Sequence, residues 1–275
     1  MPAVPSPNLF NLTGRIALIT GGAGLMGVQH AKAIHAEGGI PVIADLNLRQ
    51  AESVRSQIGG RAAAMELDVT REESISACLA SVLERFGKID ILINNAARNP
   101  MVEGTDTSAA FARFEDQDLE GWTRDLAVGL TGAMLCSKIV GRHLAAHGGG
   151  VILNIGSEYA LVAPDQRLYE QSGLPAERQP RKPVSYSVVK HGIIGLTRFL
   201  ATYWADRQVR VNCLCPGGIA NHQPAEFTQR LSRLIPMGRM AQPDEMQGAV
   251  IFLCSDASRF MTGAIVTVDG GRTVW

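Results

Sequence analysis

The chain has 275 residues, enough for one large domain or two small ones, and a chain of that size buries roughly 75% of its unfolded surface. Hydrophobic residues make up 46%, charged residues 19% and aromatic residues 5%, the proportions of an ordinary α/β protein. Its 26 basic and 26 acidic residues cancel, so net charge does not support a nucleic-acid partner, and no apolar run approaches the ~18 residues of a membrane span.

Residues 1–11 hold three prolines and no basic residue. They read as a flexible lead-in and not as a signal peptide. From Arg15 onward, short apolar runs alternate with longer amphipathic ones. Strands are expected over 16–19, 40–44, 62–67, 89–93, 151–155, 209–214 and 264–268, and helices over 25–37, 48–58 and 72–86. Near-continuous apolar strands separated by helices predict a parallel sheet covered on both faces. The expected fold is α/β, a single doubly wound Rossmann domain over 12–275 with seven parallel strands. Residues 158–183 break the rhythm with four prolines and a balanced set of charges. They form an insert longer than ordinary α/β loops, too polar for a core element.

Between the first strand and first helix lies Gly21-Gly22-Ala23-Gly24-Leu25-Met26-Gly27. In that position the glycines permit a tight turn and close approach of backbone to a pyrophosphate, which the helix N-terminus attracts. Asp45 closes the second strand, 18 residues after Gly27. A carboxylate there accepts from both adenosine ribose hydroxyls and repels a 2′-phosphate, which favours NAD over NADP. Asp45 also suits the N-cap of the following helix, and Arg49 lies close by as a feature that would favour NADP.

Tyr186 and Lys190 are four apart at the start of an amphipathic run and share one helix face. A free phenol titrates near 10, and an adjacent cation favours its anion, making it usable for acid/base work on a hydroxyl. Taken with Leu67-Asp68-Val69, Asn94-Asn95-Ala96-Ala97, Asn154-Ile155-Gly156-Ser157, Pro216-Gly217-Gly218-Ile219 and Val268-Asp269-Gly270-Gly271, these residues resemble the short-chain dehydrogenase/reductase family over residues 12–271. The resemblance implies that Ser157 holds the substrate oxygen, Tyr186 moves its proton, and Lys190 binds the nicotinamide ribose. It further implies that Asp68 and Val69 meet the adenine, that Asn94, Asn95 and Ala96 flank the ribose with Ala97 beside them, and that Ile219 contacts the carboxamide after Pro216 and Gly217. Gly21, Gly24, Leu25, Met26, Gly27 and Leu46 complete the implied cofactor set. Ser157, Glu158, Tyr186 and Gly218 are the candidate substrate contacts.

The chain departs from the family pattern at several places. Leu25 stands where a glycine is usual, Ala97 replaces another glycine, Gly129 replaces an asparagine that takes part in proton relay, and Asn221 replaces a threonine. Ser157 and Tyr186 are 29 residues apart, wider than usual, because of the insert. Its Glu158, Tyr159, Arg167, Arg178, Arg181 and Lys182 read either as substrate contacts or as solvated charge. Residues 221–235 resemble the family's lid, with Phe227 and Leu231 as substrate contacts or as packing. Trp275 reads as an interface anchor or an exposed tail.

The six histidines show no metal spacing, and no metal is expected. The five cysteines are odd in number and read as buried thiols in a reducing, cytoplasmic compartment. The sequence thus predicts an NAD(H)-dependent oxidoreductase interconverting a secondary alcohol and a ketone on a sugar, polyol or sugar-derived substrate. The stretches 21–27 and 174–190 look similar to a branch linked to bacterial sugar or flagellin-glycan biosynthesis. The alternatives are a 3-ketoacyl-type carbonyl reductase and a non-catalytic NAD(H)-binding regulator. The resemblance implies a homotetramer, or a dimer; charge balance and the absence of a long apolar run point to no nucleic-acid partner and no membrane.

Overall fold

A computed structural model describes residues 8–98 and 113–275; most of the lead-in, residues 1–7, lies outside them. Seven parallel strands form one sheet in the order β3-β2-β1-β4-β5-β6-β7. They are β1 (Ile16–Thr20), β2 (Ile40–Asp45), β3 (Ala63–Glu66), β4 (Ile91–Asn94), β5 (Gly150–Ile155), β6 (Val209–Pro216) and β7 (Ile265–Val268). The expected strands are all present, with ends moved by one or two residues. β4 opens at Ile91 and not at 89, because the Asp90 carboxylate accepts the Ile16 amide at 2.8 Å.

Helices α1 (Leu25–Ala36), α2 (Leu48–Ile58) and α3 (Glu72–Phe86) follow the first three strands. A continuous helix over 119–146 comprises α4 (Leu119–Leu126), α5 (Gly132–Cys136) and α6 (Arg142–Ala146), joined by π-helical stretches Ala127–Thr131 and Ser137–Gly141. Next come α7 (Val184–Tyr203), α8 (Ala225–Ser232) and α9 (Gln247–Cys254). One face of the sheet packs Ile75 and Val82 of α3, Cys136 of α5 and Leu200 of α7. The other packs Ile34 of α1, Val54 of α2 and Leu253 of α9. Both faces are therefore dry, which is why the central strands β1 and β4 are buried at every position and read as unbroken apolar runs.

The strand order reverses between β1 and β4. At such a switch point the loops leaving the C-terminal ends of the strands diverge and open a crevice. Behind it runs a buried polar chain: the Asn94 amide donates to Ser137 Oγ (2.9 Å) and Asn154 Oδ1 (2.8 Å), and Asn154 donates to Thr197 Oγ1 (2.9 Å). It ties β4 and β5 to α7 one residue before β5 ends.

The insert is ordered by its own side chains. The Lys182 amide donates to Gln166 Oε1 (2.7 Å) while Gln166 Nε2 donates to the Lys182 carbonyl (3.4 Å). Gln179 and the Gln171 backbone exchange a second such pair at 2.8 and 3.0 Å. Contrary to the expectation that this segment is too polar for a core, Leu168 and Tyr169 are buried against Leu231, Ile235 and Met240. An apolar pair inside a polar run is enough to anchor it to the lid region.

Candidate active site

The crevice is a cavity of about 590 Å³ lined from one end by the glycine loop and from the other by the insert and α8. At the loop end, Gly21 has a left-handed backbone (φ +59°), and a Cβ there would lie 2.9 Å from Ala96 Cα. A Cβ on Gly27 would lie 2.4 Å from the Gly21 carbonyl, so α1 docks on the loop only through glycine. Gly21, Gly24, Leu25 and Met26 line the cavity. Gly27 lies beneath it and acts through packing of the helix on the loop.

Gly24, the N-cap of α1, offers no side-chain cap, so the first N–H groups of the helix remain available. Asn95 braces the loop from the neighbouring strand: its Nδ2 donates to the carbonyls of Thr20 (3.0 Å) and Gly21 (2.9 Å). Asp45 Oδ2 accepts from Ala23 N (3.1 Å) and Oδ1 from Asn47 N (3.0 Å). The N-cap of α2 is Asn47, whose side chain accepts from Gln50; Asp45 does not cap it and faces the cavity with Leu46.

Asp68, Val69, Asn95, Ala96 and Ala97 line the middle of the cleft. The Thr70 hydroxyl on its carboxylate keeps Asp68 below the usual range. Asn94 is not among these residues, a second correction: at 4% exposure its amide is committed to the polar chain behind the sheet. Pro216, Gly217, Gly218 and Ile219 close the far wall.

At the other end β5 delivers Ser157, in extended backbone with its Oγ accepting from Tyr159 N (3.2 Å). The first turn of α7 delivers Tyr186, which lines the cavity together with Ser157. Lys190 follows one turn on and donates to the Ile155 carbonyl at 2.9 Å. Burial pushes the Tyr186 phenol up, with the Ser157 hydrogen bond opposing it. The expected lowering by Lys190 does not outweigh burial here, because its ammonium is 5.6 Å from the ring centroid and bonded elsewhere. Burial brings Lys190 itself down to about 8.

Gly129 explains its own departure from the family pattern. It lies in the first π-helical stretch, and a Cβ there would fall 2.6 Å from Val189 Cγ1. No asparagine fits unless Val189 moves.

The insert sends Glu158, Tyr159, Tyr169 and Lys182 into the cavity. Arg167 instead pairs with Asp165 at 2.7 Å, and Arg181 lines a separate groove that does not include Arg178. Burial raises the Glu158 carboxyl to about 7, with Arg272 opposing and Asp269 reinforcing. From the lid side, Asn221, Gln223, Phe227, Leu231 and Met240 complete the wall. Phe227 and Leu231 both line the cavity and pack on the insert, so the two readings of the lid coincide. Tyr169, Gln223 and Met240 were not singled out from the sequence. An aromatic residue inside an otherwise polar insert was the one available signal for Tyr169. Trp275 is exposed, yet its indole donates to the Leu234 carbonyl at 3.0 Å, laying the tail along the lid's base.

The family described as enoyl-(acyl carrier protein) reductase matches residues 22–273. The chain belongs to the short-chain dehydrogenase/reductase family. It is an oxidoreductase that interconverts alcohol and carbonyl with a nicotinamide cofactor. It is 34% identical over 273 residues to D-threitol dehydrogenase of Mycolicibacterium smegmatis, covering 96% of this chain and 95% of that one. It is 30% identical over 271 residues to NAD-dependent glycerol dehydrogenase of Listeria innocua, covering 96% of each. Among solved structures it resembles a gluconate 5-dehydrogenase from Burkholderia cenocepacia in complex with NADP and tartrate, with a TM-score of 0.80, 30% identity and 98% of both chains covered.

Proposed function

We propose that this chain is an NAD(H)-dependent dehydrogenase acting on a secondary hydroxyl of a small polyhydroxylated substrate. The observation that carries this reading is the meeting of Ser157, Tyr186 and Lys190 at one end of a cavity whose other end is the glycine loop and Asp45. The residues present suit a dinucleotide: two glycines that exclude a Cβ, an uncapped α1 N-terminus and a carboxylate at the end of β2. Bound there, the nicotinamide supplies the hydride chemistry.

The protein's part is then binding, orientation and proton transfer. Backbone N–H groups of the α1 N-terminus hold the phosphates, and Asp45 accepts from the adenosine ribose hydroxyls. Ser157 holds the reacting oxygen by hydrogen bond, Tyr186 takes or gives its proton, and Lys190 binds beside the phenol. Lys190 uses one ammonium proton on Ile155 and has two further donors for the nicotinamide ribose. The wall of Glu158, Tyr159, Lys182, Asn221 and Gln223 offers polar groups for neighbouring hydroxyls, in keeping with relatives named for threitol and glycerol.

NAD is preferred because Asp45 would repel a 2′-phosphate. Arg49 favours the second reading, NADP, since it shares a shallow groove with Asp45 and Leu46. A homotetramer, with a dimer second, is supported by apolar side chains left exposed on α4 and α7, such as Leu119, Phe199 and Tyr203. Five buried free cysteines suit a reducing cytoplasm. Among the described residues, no helix is long and apolar enough to cross a membrane.

Fluorescence titration of NADH and NADPH against wild type and Asp45→Ala tests the cofactor assignment. Tighter NADH binding that the substitution abolishes supports it, and a preference for NADPH overturns it. Turnover of a polyol panel with NAD, lost in Tyr186→Phe while NADH still binds, tests the chemistry. Tight NADH binding with no turnover of any substrate would favour a regulator.

A further inference from the structure

Proton transfer through Ser157, Tyr186 and Lys190 leaves a second buried lysine near the phenol without a part in that step. Lys182 comes from the insert, is 8% exposed, and places its Nζ 4.1 Å from the centroid of the Tyr186 ring. That is closer than the Nζ of Lys190 at 5.6 Å. Its backbone is fixed on both sides of the peptide by Gln166, and Pro183 then starts α7 as the N-cap. The insert thus fixes the backbone from which the ammonium reaches the ring.

An ammonium over an aromatic face is attracted by the negative charge on that face. Ionising a phenol places part of the new charge on the ring carbons, so the attraction is stronger for the anion than for the neutral ring. We infer that Lys182 is a positioning residue for proton transfer, a second cation that favours the ionised form of Tyr186 from the ring face while Lys190 acts from the helix side. The inference rests on the reading of Tyr186 as the acid/base.

The other groups facing the phenol are Ser157 and Glu158 at the end of β5, Tyr159 and Tyr169 from the insert, Lys190 on α7 and Cys215 on β6. Ser157 lowers its titration, and Glu158 and Cys215 raise it. The Tyr159 ring stands edge-on at 6.3 Å, and burial drives both Tyr159 and Tyr169 up, so neither competes for ionisation. Burial and repulsion from Lys190 bring Lys182 down to about 8, with Asp125 of α4 opposing. The role of Lys182 is strongest at neutral pH, where it is charged.

The test follows Tyr186 directly and needs no substrate. The protein carries four tyrosines, so tyrosine labelled with ¹³C at Cζ gives few signals, and the one missing in Tyr186→Phe is assigned. The chemical shift is titrated against pH in the NADH-loaded protein for wild type, Lys182→Met, Lys182→Gln and Lys182→Arg. The expected result is ionisation of Tyr186 about one unit lower in Lys182→Arg, which stays charged throughout, than in Lys182→Met, with wild type between them because Lys182 loses its proton near 8. The acid limb of kcat/KM should differ likewise between the two variants, about tenfold in rate on that limb. If Lys182→Met does not fold, Lys182→Gln is read in its place. Equal titration of Tyr186 in Lys182→Arg and in the neutral variants overturns the inference. Full turnover in Tyr186→Phe would instead overturn the acid/base reading, and the titration would still report on Lys182.

Discussion

The two ends of the cleft are built by different means. The cofactor end is backbone: a loop shaped by Gly21 and Gly27, with carbonyls taken up by Asn95 and the Ala23 N–H by Asp45. Most of it comes from residues adjacent in sequence at the ends of β1, β2 and β4. The substrate end is side chains drawn from far apart: Glu158 and Lys182 of the insert, Gln223 and Phe227 of the lid region, Met240 beyond it. Backbone placement tolerates few residue types, so the first end is nearly determined by short motifs. Side-chain walls are set by tertiary packing and leave many choices open.

Damage should differ accordingly. The largest effect is expected in the substrate half, where Tyr186→Phe should lower kcat by about 10²–10⁴-fold, the usual scale of general acid/base catalysis. NADH affinity by fluorescence should change little. If affinity falls as steeply as rate, the two ends are not separable.

Asp45→Ala should weaken NADH binding by about 10- to 100-fold, the scale of hydrogen bonds to a charged group, with kcat at saturating cofactor nearly kept. Calorimetry on both dinucleotides would read this. A loss confined to kcat would place Asp45 in the wrong half.

Gly27→Ala should cost about 1–3 kcal/mol of stability, since the new methyl meets the Gly21 carbonyl, a backbone atom that cannot swing aside. Denaturant midpoints would measure it. Gly129→Asn should destabilise less, because its obstacle is the end of a side chain, and Val189→Ala should relieve it in the double variant. Additive losses would show that Val189 is not the obstacle.

The smallest effect concerns pH. Glu158 is an acid whose titration is raised to about 7 by burial, so the folded state holds its proton more tightly than the unfolded chain does. Stability from this residue is therefore greatest below the unfolded carboxyl range and falls as pH rises toward 7. Glu158→Gln should melt higher than wild type at pH 8 and match it near pH 4. An unchanged melting temperature at pH 8 would mean that the carboxylate has a compensating partner.

This division also accounts for what was legible in the sequence. The seven strands were visible because both faces of the sheet are covered, leaving apolar runs bounded by turn residues. Gly21 and Asp45 stood out by residue type and spacing, Asp68 and Asn95 by the motifs of the resemblance, and all four line the cleft. Asn94 was misplaced because motif position does not say which way a strand-end side chain points; register with Asn154 turns it behind the sheet. The insert was recognised as a loop over the site, but its arginines and its Lys182 looked equivalent. Only the fold separates Arg167, paired at the surface, from Lys182, laid over a tyrosine. Met240 carried no local signal, and Tyr169 only its aromatic ring in a polar run, since their partners lie far off in sequence.

The bracing of the glycine loop by Asn95 has a consequence for speed. A loop that must present N–H groups to an anion ordinarily turns its peptides as the ligand arrives. Here the carbonyls of Thr20 and Gly21 are already held by one amide group, so their peptide planes are set before any ligand enters. Little conformational freedom remains to be lost on binding. Association of the dinucleotide should then approach the rate of its collisions with the cleft, leaving departure as the step through which affinity is adjusted.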